Sequence, residues 1–159
     1  MRVFTKVGLD VVHMPAAKDG SKYMVGMRDD LRGWAEYKAP RKASSLAVVK
    51  FIYEVLMARF GCLLLIVNDG GPENQALTTE LLERFNVRKV QVAMYHLQLN
   101  GLVEHRHQNI VNALAKLPAP SEKPGNWPAY LAAVSWADRI TVRKYTGMMP
   151  YQVVIVQEC

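Results

Sequence analysis

From Ser45 to Phe60 the apolar residues Val48, Val49, Ile52, Val55, Leu56 and Phe60 recur at helical spacing, and Leu63 to Val67 follows as an unbroken apolar run. The first pattern predicts an amphipathic helix with Ser45 as its N-cap, and the second a strand buried on both faces. A helix that leads straight into such a strand commits the chain to a sheet covered by helices, because only flanking helices keep both faces of the strand from water. The fold must therefore be α/β.

The segments on either side complete the pattern. Val7 to His13, Tyr23 to Arg28 and Trp34 to Lys38 read as strands separated by the turn signals Lys18-Asp19-Gly20 and Asp29 to Gly33, an antiparallel meander. Beyond the buried strand, Leu77, Leu81, Leu82 and Phe85 mark a helix, and Val87 to Ala93 reads as a strand. Tyr95 to Gly101 reads as a loop, and Val103, His107, Ile110, Leu114 and Leu117 form the stripe of a helix with Glu104 in its first turn. Residues 118–126 read as a linker, and a last helix begins near Trp127 with Tyr130, Leu131 and Val134 on its apolar face. The order is β, β, β, α, β, α, β, α, α, and its helical crossovers make the later strands parallel to their neighbours in a mixed sheet. At 159 residues we expect a single domain over 1–159, with 7–117 as core, 118–126 as linker and 127–159 as a C-terminal helical part.

Half of the residues are apolar and 21% are charged, which excludes the disordered and fibrous classes. Cys62 and Cys159 offer no disulfide framework, so an intracellular, reducing setting is expected. The run from Leu63 to Val67 is too short to cross a bilayer, and the first residues lack the order of a signal peptide. The net charge is +6, with basic clusters at Lys38, Arg41 and Lys42, at Arg84, Arg88 and Lys89, and at Arg139, Arg143 and Lys144. Such a balance suits a polyanionic partner.

Three carboxylates stand where regular elements meet turns: Asp10 in VGLDVVH, Asp69 in LLLIVNDGGPEN and Glu104 in NGLVEHRHQNI. Taken singly, Asp69 is a turn former and Glu104 a first-turn acid favoured by the helix dipole. Asp10 has no such local use, because an acid inside an apolar strand gives up hydration unless it faces a partner or lies on an edge. Asp69 falls just past the carboxyl end of a strand, where ligands collect in open α/β sheets. Convergent carboxylates would repel one another, and a divalent cation ligated by hard oxygens removes that repulsion. His105 and His107 are two apart and make a poor zinc pair on a helix, and His107 on the apolar stripe reads as a core or interface residue.

This element order resembles the ribonuclease H-like fold, a mixed five-stranded sheet flanked by helices. The motifs NDGGPEN at 68–74, YHLQLNGLVEH at 95–105 and TGMMPYQVV at 146–154 resemble the catalytic core of retroviral integrases, especially those of gypsy-type long-terminal-repeat retrotransposons. The resemblance implies that Asp10, Asp69 and Glu104 are a catalytic D,D-35-E triad holding two Mg²⁺ or Mn²⁺ ions, although 34 residues separate Asp69 from Glu104 here. It also implies that Tyr95, Gln98, Asn100 and Gly101 contact DNA, while Asn100 reads equally as a helix N-cap; Gly70 and Gly71, which also read as a simple turn, leave room for a phosphate backbone. The implied activity is metal-dependent processing of retroelement DNA 3′ ends and their joining to target DNA. The implied partners are those DNAs and a second copy of the chain, in the nucleus, with no membrane and no small-molecule substrate. Three positions depart from the pattern: Leu97 replaces a proline, His105 an arginine and Val156 a glycine. The alternative reading is a decayed or domesticated integrase that binds nucleic acid or protein without catalysis.

Overall fold

The computed structural model describes residues 4–61, 63–68, 71, 76–91, 97–117 and 125–156, with the backbone course alone for 76–77 and 97–106. Five strands form one sheet in the order β3-β2-β1-β4-β5. β1 (Lys6–His13), β2 (Tyr23–Asp29) and β3 (Ala35–Lys38) are the antiparallel meander. β4 (Leu65–Asn68) pairs parallel with β1 in the register Val7↔Ile66 and Gly8↔Val67, and β5 (Arg88–Gln91) pairs parallel with β4. The mixed sheet is thus the one the crossovers require.

Between β3 and β4 runs α1 (Ser45–Phe51), a π-helical stretch (Ile52–Met57) and α2 (Ala58–Phe60). The cap is Ser44, whose side chain accepts from the Ala47 amide, one residue before the serine expected from sequence. The π-helical turn lets Ile52, Leu56 and Met57 all reach the core, which a strict 3.6-residue period would not allow. α3 (Ala76–Arg84) joins β4 to β5, and α4 (Leu97–Lys116), α5 (Trp127–Ile140) and α6 (Pro150–Ile155) follow.

Strand alternation assigns the two faces. Val7 and Leu9 of β1 with Val25 and Met27 of β2 pack against Val48, Phe51, Ile52, Leu56 and Leu82 on one side. On the other, Val12 and Met24 meet Ile110 and Leu114 of α4 and Trp127 and Leu131 of α5. The Trp127 indole also donates to the Pro15 carbonyl at 2.8 Å, fixing the start of α5 under the β1–β2 turn.

One sequence expectation is corrected here, and an element is added to the expected order. The loop expected over 95–101 is helical from Leu97 onward, so Gln98, Asn100 and Gly101 lie within α4, and Glu104 lies about two turns inside the helix rather than in its first turn. Leucine and glutamine are good helix formers, and Gly101, costing about 1 kcal/mol in a helix interior, is carried by the packing of the rest of the helix. The added element is α6, which falls on the PYQVV part of a motif read only as a family signature. Proline at its first position supplies a fixed φ without losing a helical hydrogen bond.

Candidate active site

Asp10 sits on β1 directly opposite Gly26 of β2, half-buried, on the face covered by α4 and α5. Gly26 in turn pairs with Tyr37 on β3, so Asp10, Gly26 and Tyr37 lie in one row across the sheet. A Cβ at Gly26 would stand 2.7 Å from the Tyr37 ring and 3.0 Å from His107 Nδ1. The missing side chain is what lets helix α4 come down onto the sheet beside Asp10.

His107 is that point of contact. It is 2% exposed, its Nδ1 lies 3.2 Å from the Tyr37 hydroxyl, and the two rings meet edge to face at 5.5 Å. Glu104 precedes it by three residues in the same helix. Asp69, Gly70 and Tyr95 lie outside the described residues, and β4 ends one residue before Asp69, at Asn68. Among the described residues no group of three His, Cys, Asp or Glu side chains is placed to hold a metal ion. Of the expected triad, only the Asp10 side chain belongs to that set.

Sequence reading missed a polar network behind this row. Arg28 donates to the Tyr37 hydroxyl at 3.2 Å, to the Gly33 carbonyl at 3.0 Å and to Asp138 at 3.1 Å, and Arg143 reaches the same Asp138 oxygen at 2.6 Å. Burial opposes the charge of Arg28, but Tyr37 and Asp138 offset it and hold its pKa above the ordinary arginine value. Removal from water pushes the Tyr37 phenol up to about 12, against the opposing pull of Arg28. A signal for this was present: Arg28 follows Met24 and Gly26 on the helix-covered face of β2, where a cation demands a buried counter-charge.

A second cluster alters the charge argument. Glu36 accepts from Arg139 at 2.7 Å, from Arg59 at 3.1 Å and from the Trp34 indole at 3.0 Å, and the Arg139 guanidinium lies over the Trp34 ring. Arg139 and Arg143, grouped by sequence with Lys144 as a polyanion-facing cluster, are instead committed to internal acids.

The chain matches no family model. It is 30% identical over 146 residues to the Gag-Pol polyprotein of avian reticuloendotheliosis virus, a match that covers 91% of this chain and 12% of that polyprotein. Its structure superposes on the catalytic core domain of BIV integrase with a TM-score of 0.73 at 18% identity, covering 98% of this chain and 97% of the other. It likewise matches the HTLV-2 integrase catalytic core domain, solved in complex with magnesium in a trimeric form, with a TM-score of 0.76 at 18% identity over 96% and 97% of the two chains. The class is therefore the ribonuclease H-like fold, with its mixed five-stranded sheet between helices. Within that class its fold is that of integrase catalytic core domains, and its sequence is related to a short stretch of retroviral Gag-Pol polyproteins, of which it spans about an eighth or less.

Proposed function

We propose that this chain is the metal-dependent polynucleotidyl transferase core of a retroelement, cutting near DNA 3′ ends and joining them to target DNA. The observation that carries the reading is the parallel register of β1 and β4. The last pair in that register is Gly8 with Val67, and Asp10 and Asp69 each stand two residues further along their chains. From the other side, α4 meets the sheet at His107 beside Gly26, the cross-strand partner of Asp10, and Glu104 lies one helical turn earlier.

Asp10 on β1, Asp69 next in sequence after β4 and Glu104 in α4 would make an all-oxygen donor set suited to Mg²⁺ or Mn²⁺. Two such ions would activate the attacking oxygen and stabilise the leaving oxygen of an in-line displacement at phosphorus. Asp10, Asp69 and Glu104 would hold them, and the chain itself needs no nucleophile. The magnesium complex of the HTLV-2 core supports this ligand class.

DNA is the partner in this reading, met by Tyr95, Gln98, Asn100 and Gly101 in and before the first turns of α4, inside the nucleus. Self-association is also part of it: Tyr130, Trp136 and Ile140 leave α5 with exposed apolar side chains, Trp136 at 59% exposure. The test is Mn²⁺-dependent cleavage or disintegration of a branched DNA by the wild type and by Asp69→Asn. Loss of activity in the variant is the expected result, and activity that survives it refutes the mechanism.

A further inference from the structure

We propose that Tyr37 is a positioning residue for the site, its hydroxyl fixing His107 and so seating the turn of α4 that carries Glu104 over Gly26 and Asp10. This rests on the metal-site reading given above. Tyr37 is on β3, is not one of the triad and belongs to no motif that the sequence singled out.

Hydrogen-bond directionality carries the argument. Arginine can only donate, so the bond from Arg28 Nη2 uses the phenol oxygen as an acceptor and leaves the single phenol proton for another partner. His107 Nδ1, 3.2 Å away, is positioned to accept it. In that arrangement the neutral imidazole carries its own proton on Nε2, so Tyr37 selects both the tautomer and the orientation of His107. The edge-to-face ring contact and the absent Cβ at Gly26 leave the histidine ring a slot of one shape.

The anchor behind Tyr37 is rigid for a physical reason. Arg28 is held by the Gly33 carbonyl and by Asp138 of α5, and Asp138 is held in turn by Arg143. These side chains are nearly buried, so exchange of their partners for water is costly. The phenol stays neutral until strongly alkaline pH, so the contact keeps the same donor and acceptor wherever the core is folded. A helix that supplies a ligand from a segment with glycine at 101 needs such a reference point, because ligand geometry depends on how the surrounding groups hold the donor.

Tyr37→Phe removes the hydroxyl and keeps the ring. Three readouts separate positioning from general support: the ¹⁵N chemical shifts of the His107 side chain, amide exchange over residues 104–110, and Mn²⁺ affinity by titration calorimetry. We expect the Nε2–H tautomer signature to be lost, exchange in α4 to quicken roughly fivefold to tenfold, and Mn²⁺ binding to weaken about tenfold or more. Val154→Ala, a buried change on the opposite face of the sheet, is the control and should leave all three unchanged. Wild-type tautomer and α4 exchange in Tyr37→Phe overturn the proposal. Altered exchange with unaltered Mn²⁺ affinity overturns its link to the site. A wild type whose Mn²⁺ binding is insensitive to Asp69→Asn refutes the metal reading instead, and the tautomer and exchange data then decide alone whether Tyr37 holds α4.

Discussion

Gly26→Ala is the most discriminating single change at the site, because it adds one methyl group where β2, β3 and α4 meet. The backbone of Gly26 is ordinary strand, so alanine suffers no φ penalty, and the usual expectation for glycine to alanine in a strand is a gain of roughly 0.5–1 kcal/mol. Here the new Cβ would lie 2.7 and 2.8 Å from Cε1 and Cδ1 of Tyr37 and 3.0 Å from His107 Nδ1. The ring cannot swing aside freely, since its hydroxyl bridges Arg28 and His107 and the ring packs edge to face with the imidazole. Overpacking of this kind costs about 1–3 kcal/mol, and displacing the ring would add about 1 kcal/mol for each of its two hydrogen bonds. Against the small propensity gain the net is about 2–4.5 kcal/mol of destabilisation, a fall in Tm of at least about 4 °C and up to roughly 18 °C for a chain of this size. Thermal unfolding followed by circular dichroism reads it directly. The same change made on a Tyr37→Ala background should cost less than about 0.5 kcal/mol, because the obstructing ring is gone. A Tm for Gly26→Ala at or above wild type would refute the reasoning, as would an equal cost in both backgrounds.

Asp138→Ala strands two nearly buried guanidinium groups, Arg28 and Arg143, and is expected to cost about 3–5 kcal/mol in urea unfolding, with Asp138→Asn costing less; a loss below about 1 kcal/mol would mean the pair is solvated in solution. The pH dependence follows from Tyr37. Its folded pKa is raised by burial, so the stability linked to its neutral form is fully present below the unfolded value of 10.0 and is lost as pH rises toward about 12. The stability difference between wild type and Tyr37→Phe should therefore narrow above pH 10, and a difference that stays constant to pH 12 contradicts the burial of the phenol.

The sheet was legible in the sequence because each element carries a period that only one packing satisfies. Leu65 to Asn68 is parallel and central because an uninterrupted apolar run has no polar face to give to water, and α1 is where its apolar spacing requires it. The start of α4 was not legible, since Gln98, Asn100 and Gly101 lack the apolar repeat that marks a buried helix face and glycine reads locally as a turn. For the site, the strand position of Asp10 could be read from its own neighbours. The parallel register that brings Val67 beside Gly8 could not, because a long-range pairing depends on how two strands meet rather than on either one. Tyr37 was invisible for a related reason: its meaning comes from a missing side chain on the next strand and from a histidine 70 residues later.

Burial also changes what the net charge of +6 means. Charge matters to a polyanion only where it faces solvent, and Arg28, Arg32, Arg139 and Arg143 lie within the fold against Asp138, Asp29 and Glu36. Three acids offset three of these four charges, so the group holds only one unit of the net charge and the rest lies elsewhere. What stays outward on the β4–β5 side is Arg84 at the end of α3 and Arg88 at the start of β5, both exposed, at the opposite edge of the sheet from β3. Exposed basic side chains therefore stand at both edges of the sheet, Lys38, Arg41 and Lys42 at and just after β3 and Arg84 and Arg88 beside β5, while the internally paired arginines gather between β3 and α5.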